Sequence, residues 1–151
     1  MRPGKMFYWS LFLITGFFTD AQTGTTLTDS IPSGGQWRKY NLYIPTSYNG
    51  SKAYPLVLNL HGLTSSGIQQ LIYGDFRPIA DTANFLVVHP EGTRNGTTQF
   101  WNVGLFSTPN DVLFMRDLID SLSLLYKIDA DRVYSCGLSN GGLLSYYMAC
   151  T

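Results

Sequence analysis

The pentapeptide Gly137-Leu138-Ser139-Asn140-Gly141 sets a serine between two glycines. That spacing lets a hydroxyl stand on a sharp strand-to-helix turn and attack a carbonyl carbon. Gly137 and Gly141 matter because strand and helix can then pass close together without a Cβ between them, and Gly142 extends the same tolerance. A helix starting at this turn aims its free N–H groups and positive end at Ser139, where they stabilise negative charge on a tetrahedral intermediate. The Asn140 N–H is one such oxyanion donor. A second is expected from the loop after an upstream strand, where Leu60-His61-Gly62-Leu63 follows an apolar run. The Leu63 N–H is favoured there, with Gly62 and Thr64 as near alternatives. A chain with 15 glycines can also contain this pattern as a plain Gly/Ser loop, so the flanking elements must decide.

A serine nucleophile needs a base, and the chain holds two histidines, His61 and His89. Both precede Ser139, whereas the base follows the nucleophile where a serine sits on a strand-to-helix turn. His61 therefore reads as a residue shaping its loop, and His89, before Pro90, as a packed structural residue. A protease-like His…Asp…Ser order could be assembled from either histidine with Asp111 and Ser139, but the alternation of strands and helices speaks against it. Asp129 and Asp131 lie before the nucleophile strand, away from the strand C-termini where ligands bind, and read as turn and capping residues. Trp101 is a candidate substrate contact, with packing as the alternative.

The elements that must position these residues are legible as patterns. Residues 24–27 and 37–44 read as strands flanking the turn-rich Pro32-Ser33-Gly34-Gly35, with Tyr40, Leu42 and Ile44 sharing one face. Residues 55–60, 85–88 and 132–136 are short strand-like runs, the first two apolar without alternation, as in strands covered on both faces. Helical patterns cover 76–84, 111–126 and 142–149. The second repeats Val112, Met115, Leu118, Ile119, Leu122 and Leu125, with Asn110 and Asp111 suited to cap it. The order of strands and helices predicts an α/β fold with a mainly parallel central sheet and flanking helices. Loops 48–52 and 94–98 read as ordinary connections. Each carries a glycosylation sequon, Asn49-Gly50-Ser51 and Asn95-Gly96-Thr97, a pattern frequent by chance.

Composition narrows the function classes. The 151 residues are 44% hydrophobic with formal net charge zero, so no clustered Lys and Arg argue for nucleic acid. Arg2 and Lys5, an apolar run over 6–18 and the small Ala21 form a secretory-signal pattern, giving a signal peptide over 1–21 and one domain over 22–151. The run falls short of the roughly 20 residues of a spanning helix, so no membrane association is expected after cleavage. Cys136, ending a strand, and Cys150, some three turns along the next helix, would lie about 15–20 Å apart, too far for a disulfide. Each is expected to be buried and free, or to pair outside this chain.

The chain resembles the polyhydroxybutyrate depolymerase and feruloyl esterase group of secreted α/β-hydrolases. The resemblance rests on Arg38-Lys39-Tyr40-Asn41-Leu42-Tyr43-Ile44-Pro45, on Pro55-Leu56-Val57-Leu58-Asn59-Leu60-His61-Gly62, and on the stretch from Tyr126 through Arg132-Val133-Tyr134 to Gly142. It implies hydrolysis of carboxylic esters, small or polymeric, through an acyl-Ser139 intermediate, with no metal or organic cofactor. Hydroxyalkanoate polyesters and feruloyl or acetyl esters on plant polysaccharide are the substrate classes it suggests. A non-catalytic binding protein and a peptidase or lipase on the same scaffold are the alternatives. It also places the acid and base of the triad downstream of the elbow, past Thr151, so that this stretch alone is expected to be nearly inactive and to expose an aggregation-prone sheet edge.

Overall fold

The computed structural model describes residues 24–151; the signal-peptide pattern lies outside the described residues. The chain order is β1 (Thr25–Ser33), β2 (Gln36–Ile44), β3 (Tyr54–Leu60), α1 (Gly67–Tyr73), α2 (Arg77–Ala83), β4 (Leu86–Pro90), β5 (Thr93–Asn95), β6 (Thr98–Phe100), α3 (Asp111–Leu125), β7 (Ile128–Gly137) and α4 (Asn140–Ala149). Five strands form the main sheet in the order β1-β2-β4-β3-β7, while β5 and β6 pair as a separate hairpin.

The sheet is mixed rather than mainly parallel. β1 runs antiparallel to β2, and β2 antiparallel to β4; only β4–β3 and β3–β7 are parallel. The two-residue link Gly34-Gly35, with both φ positive, folds β1 straight back onto β2 and so makes that edge a hairpin. β1 is also longer than its sequence pattern indicated. Pro32 fits within it because the edge strand has a side on which a missing N–H costs nothing.

Helices cover both faces. Tyr40, Leu42, Ile44, Leu56, Leu58, Leu60, Leu86 and Val88 pack with Phe114, Met115, Leu118 and Leu122 of α3 and Leu144 of α4 in the main core. The 3.6-residue period marked Met115, Leu118 and Leu122 of this stripe, with Val112 and Ile119 at its margin, but Leu125 is exposed at the end of α3 and Phe114 takes a core place the pattern did not include. The N-cap Asn110 accepts from the Leu113 N–H at 2.9 Å. On the opposite face, Tyr43 and Val87 pack with Ala80 of α2. Coverage on both sides explains why β3 and β4 read as unbroken apolar runs.

A buried salt bridge fastens the sheet to α3. Arg38 of β2 reaches the first residue of that helix, Asp111, at 2.7 Å, with both side chains withdrawn from solvent. The other Asp111 oxygen accepts from the Asn102 N–H at 2.7 Å, and the Arg38 guanidinium lies 4.0 Å from the Phe114 ring centroid.

Candidate active site

Ser139 stands where β7 gives way to α4, with φ 48° and ψ −113°. Positive φ is uncommon for a residue with a Cβ, and holding it requires a surrounding structure that over-determines the turn. The restraints are on both sides. The Leu138 N–H donates to the Leu60 carbonyl at 3.0 Å, the Gly141 N–H to the Leu138 carbonyl at 2.8 Å, and the Leu143 N–H to the Ser139 carbonyl at 2.9 Å. The glycines behave as their spacing predicted. A Cβ on Gly137 would lie 2.6 Å from the Leu60 carbonyl oxygen, and one on Gly141 would collide with the same oxygen and with that of His61. Ser139 is exposed at the crest of this turn.

Asn140 opens α4, where helix geometry leaves its N–H without an intrahelical acceptor. Its side chain has a second role that the motif did not reveal. Asn140 Oδ1 accepts from the Trp101 N–H at 2.7 Å, and Asn140 Nδ2 donates to the Trp101 carbonyl at 3.1 Å. The elbow is thereby tied to the segment following β6.

The loop after β3 lies against the elbow, with Gly62 beside Leu138. Among the candidate donors of this loop, the Thr64 N–H is already committed to the Gln99 carbonyl at 2.7 Å. Leu63 is exposed, and no acceptor among the described residues takes its N–H. Thr64 itself has φ 67°, so a β-branched residue is held in the left-handed region at this loop as well. The sequence carries no local mark of that conformation.

Trp101 is corrected from substrate contact to scaffold. It is 2% exposed, its indole N–H donates to the His61 carbonyl at 2.8 Å, and its ring lies 4.7 Å from the His61 ring. A side chain so enclosed holds the β3 loop and the elbow together rather than meeting a ligand.

His61 has the loop-shaping role expected of it. Nδ1 lies 2.7 Å from the Gly62 carbonyl and Nε2 accepts from the Gly92 N–H at 2.9 Å, so both ring nitrogens are occupied by backbone. Burial lowers its pKa and keeps it neutral, partly countered by the bond to Gly62. His89 is fully buried under α1, with Nε2 3.3 Å from Asn59 Nδ2, and burial pushes its pKa down to about 4. Neither histidine is free to take a proton from Ser139. Asp111 is likewise committed, to Arg38. Asp129 and Asp131 lie near the start of β7, in the irregularity between its pairings at Ile128 and Val133 and at the end of the strand remote from Ser139, where Asp129 accepts from Arg132 Nε at 2.6 Å and from the Asp131 N–H at 3.1 Å.

The two cysteines are unpaired, but only Cys136 is partly buried; Cys150 is exposed, because it sits at the solvent-facing end of α4. Among the described residues no group of three or more His, Cys, Asp or Glu side chains could hold a metal ion.

The chain is 32% identical over 114 residues to feruloyl esterase B of Piromyces equi, a match covering 75% of this chain and 21% of that protein. It is 31% identical over 122 residues to a bifunctional acetylxylan esterase/xylanase of Neocallimastix patriciarum, covering 81% of this chain and 17% of the relative. Among solved structures, an acetyl xylan esterase from Aspergillus awamori superposes with a TM-score of 0.70 at 18% identity, over 85% of this chain and 47% of that one. The chain carries the α/β-hydrolase fold. It is a homologue of esterases, among which a poly(3-hydroxyalkanoate) depolymerase of Paucimonas lemoignei is also found, at 30% identity over 64% of this chain and 24% of that protein. No protein-family model matches. This α/β-hydrolase chain spans about a fifth of the length of the first two relatives.

Proposed function

We propose that Ser139 is the nucleophile of a secreted carboxylic-ester hydrolase that acts on feruloyl or acetyl groups esterified to plant polysaccharide. The observation that carries this reading is the backbone of Ser139, forced to φ 48° and ψ −113° on an exposed turn at the start of a helix. The homology to proteins named feruloyl esterase and acetylxylan esterase supports the substrate class. Ser139 Oγ attacks the ester carbonyl carbon. The oxyanion that forms is met by the Asn140 N–H at the helix N-terminus and by the Leu63 N–H. Collapse expels the alcohol and leaves an acyl-Ser139, which water then cleaves to release the acid. A general base takes the Oγ proton and returns it to the departing alcohol, then activates the water in the same way; neither His61 nor His89 is placed to be that base.

Export follows from the basic and apolar pattern of residues 2–21. No helix among the described residues is long and apolar enough to cross a membrane.

Labelling of the full-length protein with a fluorophosphonate tests the nucleophile. The wild type is expected to take the label and release ferulate or acetate from esterified xylo-oligosaccharide, and Ser139→Ala to do neither. Equal labelling of both proteins would overturn the assignment. Release of hydroxyalkanoate oligomers from polyester, with no release from the sugar esters, would move the substrate to the polyester class.

A further inference from the structure

We infer that a groove beside the β3 loop binds the sugar units that carry the ester, with the exposed indole of Trp37 as its platform; the inference rests on the esterase reading above. The groove has a volume of about 620 Å³ and is lined by Trp37, Lys39, Ser66, Glu91, Arg94 and Gln99, among others.

Its position follows from the sheet. β2 runs antiparallel to β4, so the start of β2 lies at the same sheet edge as the C-terminal ends of β3, β4 and β7. Strand alternation turns Arg38 and Tyr40 toward α3 and therefore turns Trp37 and Lys39 to the other face, where Ser66 caps α1. Gln99 in the groove wall accepts the Thr64 N–H of the β3 loop through its carbonyl, and two residues later Trp101 is bonded to Asn140 beside Ser139. Two extended residues span about 7 Å. The wall of the groove is therefore joined to the elbow through one short run of chain, Gln99 to Trp101, and the Asn140 side chain.

The lining matches a carbohydrate. Trp37 is 72% exposed although tryptophan is the largest apolar side chain, and it borders a concavity rather than open surface. A flat, rigid indole stacks against the C–H face of a pyranose or furanose ring with little entropy to lose. Hydroxyls on the ring edge need both donors and acceptors. Lys39 and Arg94 supply the first, with no ion-pair partner among the described residues, and the Glu91 carboxylate supplies the second. Thr93 Oγ1 is buried in the wall without a hydrogen-bond partner among the described residues, a polar atom that a sugar hydroxyl reaching into the groove would satisfy.

The test measures binding and hydrolysis separately in the full-length protein. Calorimetry with unesterified xylo-oligosaccharide should show affinity that drops at least tenfold in Trp37→Ala and severalfold in Arg94→Ala. KM for feruloylated or acetylated oligosaccharide should rise by similar factors, with kcat unchanged and with hydrolysis of the methyl or nitrophenyl ester of the same acid unaffected. Oligosaccharide affinity equal to wild type in both variants overturns the inference, as does undetectable oligosaccharide binding by the wild type. A protein that binds the oligosaccharide through Trp37 but hydrolyses no ester would instead sink the esterase reading and leave the groove assigned.

Discussion

At the scale of single residues, the positive-φ backbone of Ser139 is the feature on which the proposed nucleophile rests, and His89 is a group whose cost is set by solvent exclusion. In the unfolded chain His89 titrates near 6.5; in the folded chain burial holds its pKa at about 4. Between those values the unfolded state binds a proton that the native state refuses, so stability is complete above about pH 6.5 and falls as the pH drops toward 4. The loss from this residue is on the order of 3 kcal/mol. Burial lowers the His61 pKa as well, which adds to the same slope. Urea midpoints of wild type and His89→Gln, measured from pH 7 to pH 4, should show a shallower decline in the variant. Parallel declines would mean that His89 is not excluding protons. The position of both histidines before Ser139 in the sequence marks them as structural; their hydrogen-bond partners are decided only by the packed fold.

Elements are tied together by polar groups that their own periodicity does not announce. Thr28, Asn41, His89, Asn59 and Cys136 form a row crossing all five strands of the main sheet on the α1 face. Thr28 Oγ1 donates to Asn41 Oδ1 at 2.8 Å, Asn41 Nδ2 reaches the His89 carbonyl at 3.4 Å, and Asn59 Oδ1 accepts from Gln70 Nε2 of α1 at 2.7 Å. Asn59 Nδ2 also donates to the Gly74 carbonyl at 2.9 Å, which ends α1 against the sheet. On the other side of the site, Asn140 performs the comparable task between α4 and the segment after β6. Truncating it leaves the Trp101 N–H and carbonyl without their partner, at a cost of about 1–3 kcal/mol. Asn140→Ala should therefore lower the melting temperature and reduce kcat/KM on small esters, whereas Asn140→Asp keeps the acceptor and should lose less stability. A melting curve for Asn140→Ala that overlays the wild type would show that the tie is not structural. The β5–β6 hairpin, which carries Gln99 to the β3 loop, read as a loop. Asn95-Gly96, with Gly96 at φ 59°, was the available turn signal, but strands of three residues are too short to show alternation.

For the molecule as a whole, the Arg38–Asp111 pair joins sheet, α3 and the Asn102 loop at one buried point. Two charges removed from water are stable only together. Arg38→Ala should destabilise the full-length protein by about 3–5 kcal/mol, because it strands the Asp111 carboxylate in the interior. Replacing both, as Arg38→Met with Asp111→Leu, should cost less than either single change. A double variant as unstable as the sum of the two would show that the charges are not coupled. The pair was invisible to sequence reading, since positions 38 and 111 are related only by the stacking of α3 on β2.

What the sequence determined by itself was local: the Gly-x-Ser-x-Gly spacing, the apolar runs of β3 and β4 and the helical stripe of α3. Each is written into neighbouring residues and follows from chain geometry. That was enough for the fold class and for marking Ser139 as the candidate nucleophile. The tertiary structure decided everything that needs distant residues to meet. It turned the first two strands into an antiparallel edge, buried Trp101 against His61, committed the Thr64 N–H to Gln99 and set Trp37 over a groove at the edge that holds Ser139. The physical reason is that burial and hydrogen-bond pairing are properties of packed surfaces, and a residue's type limits its partners without naming them.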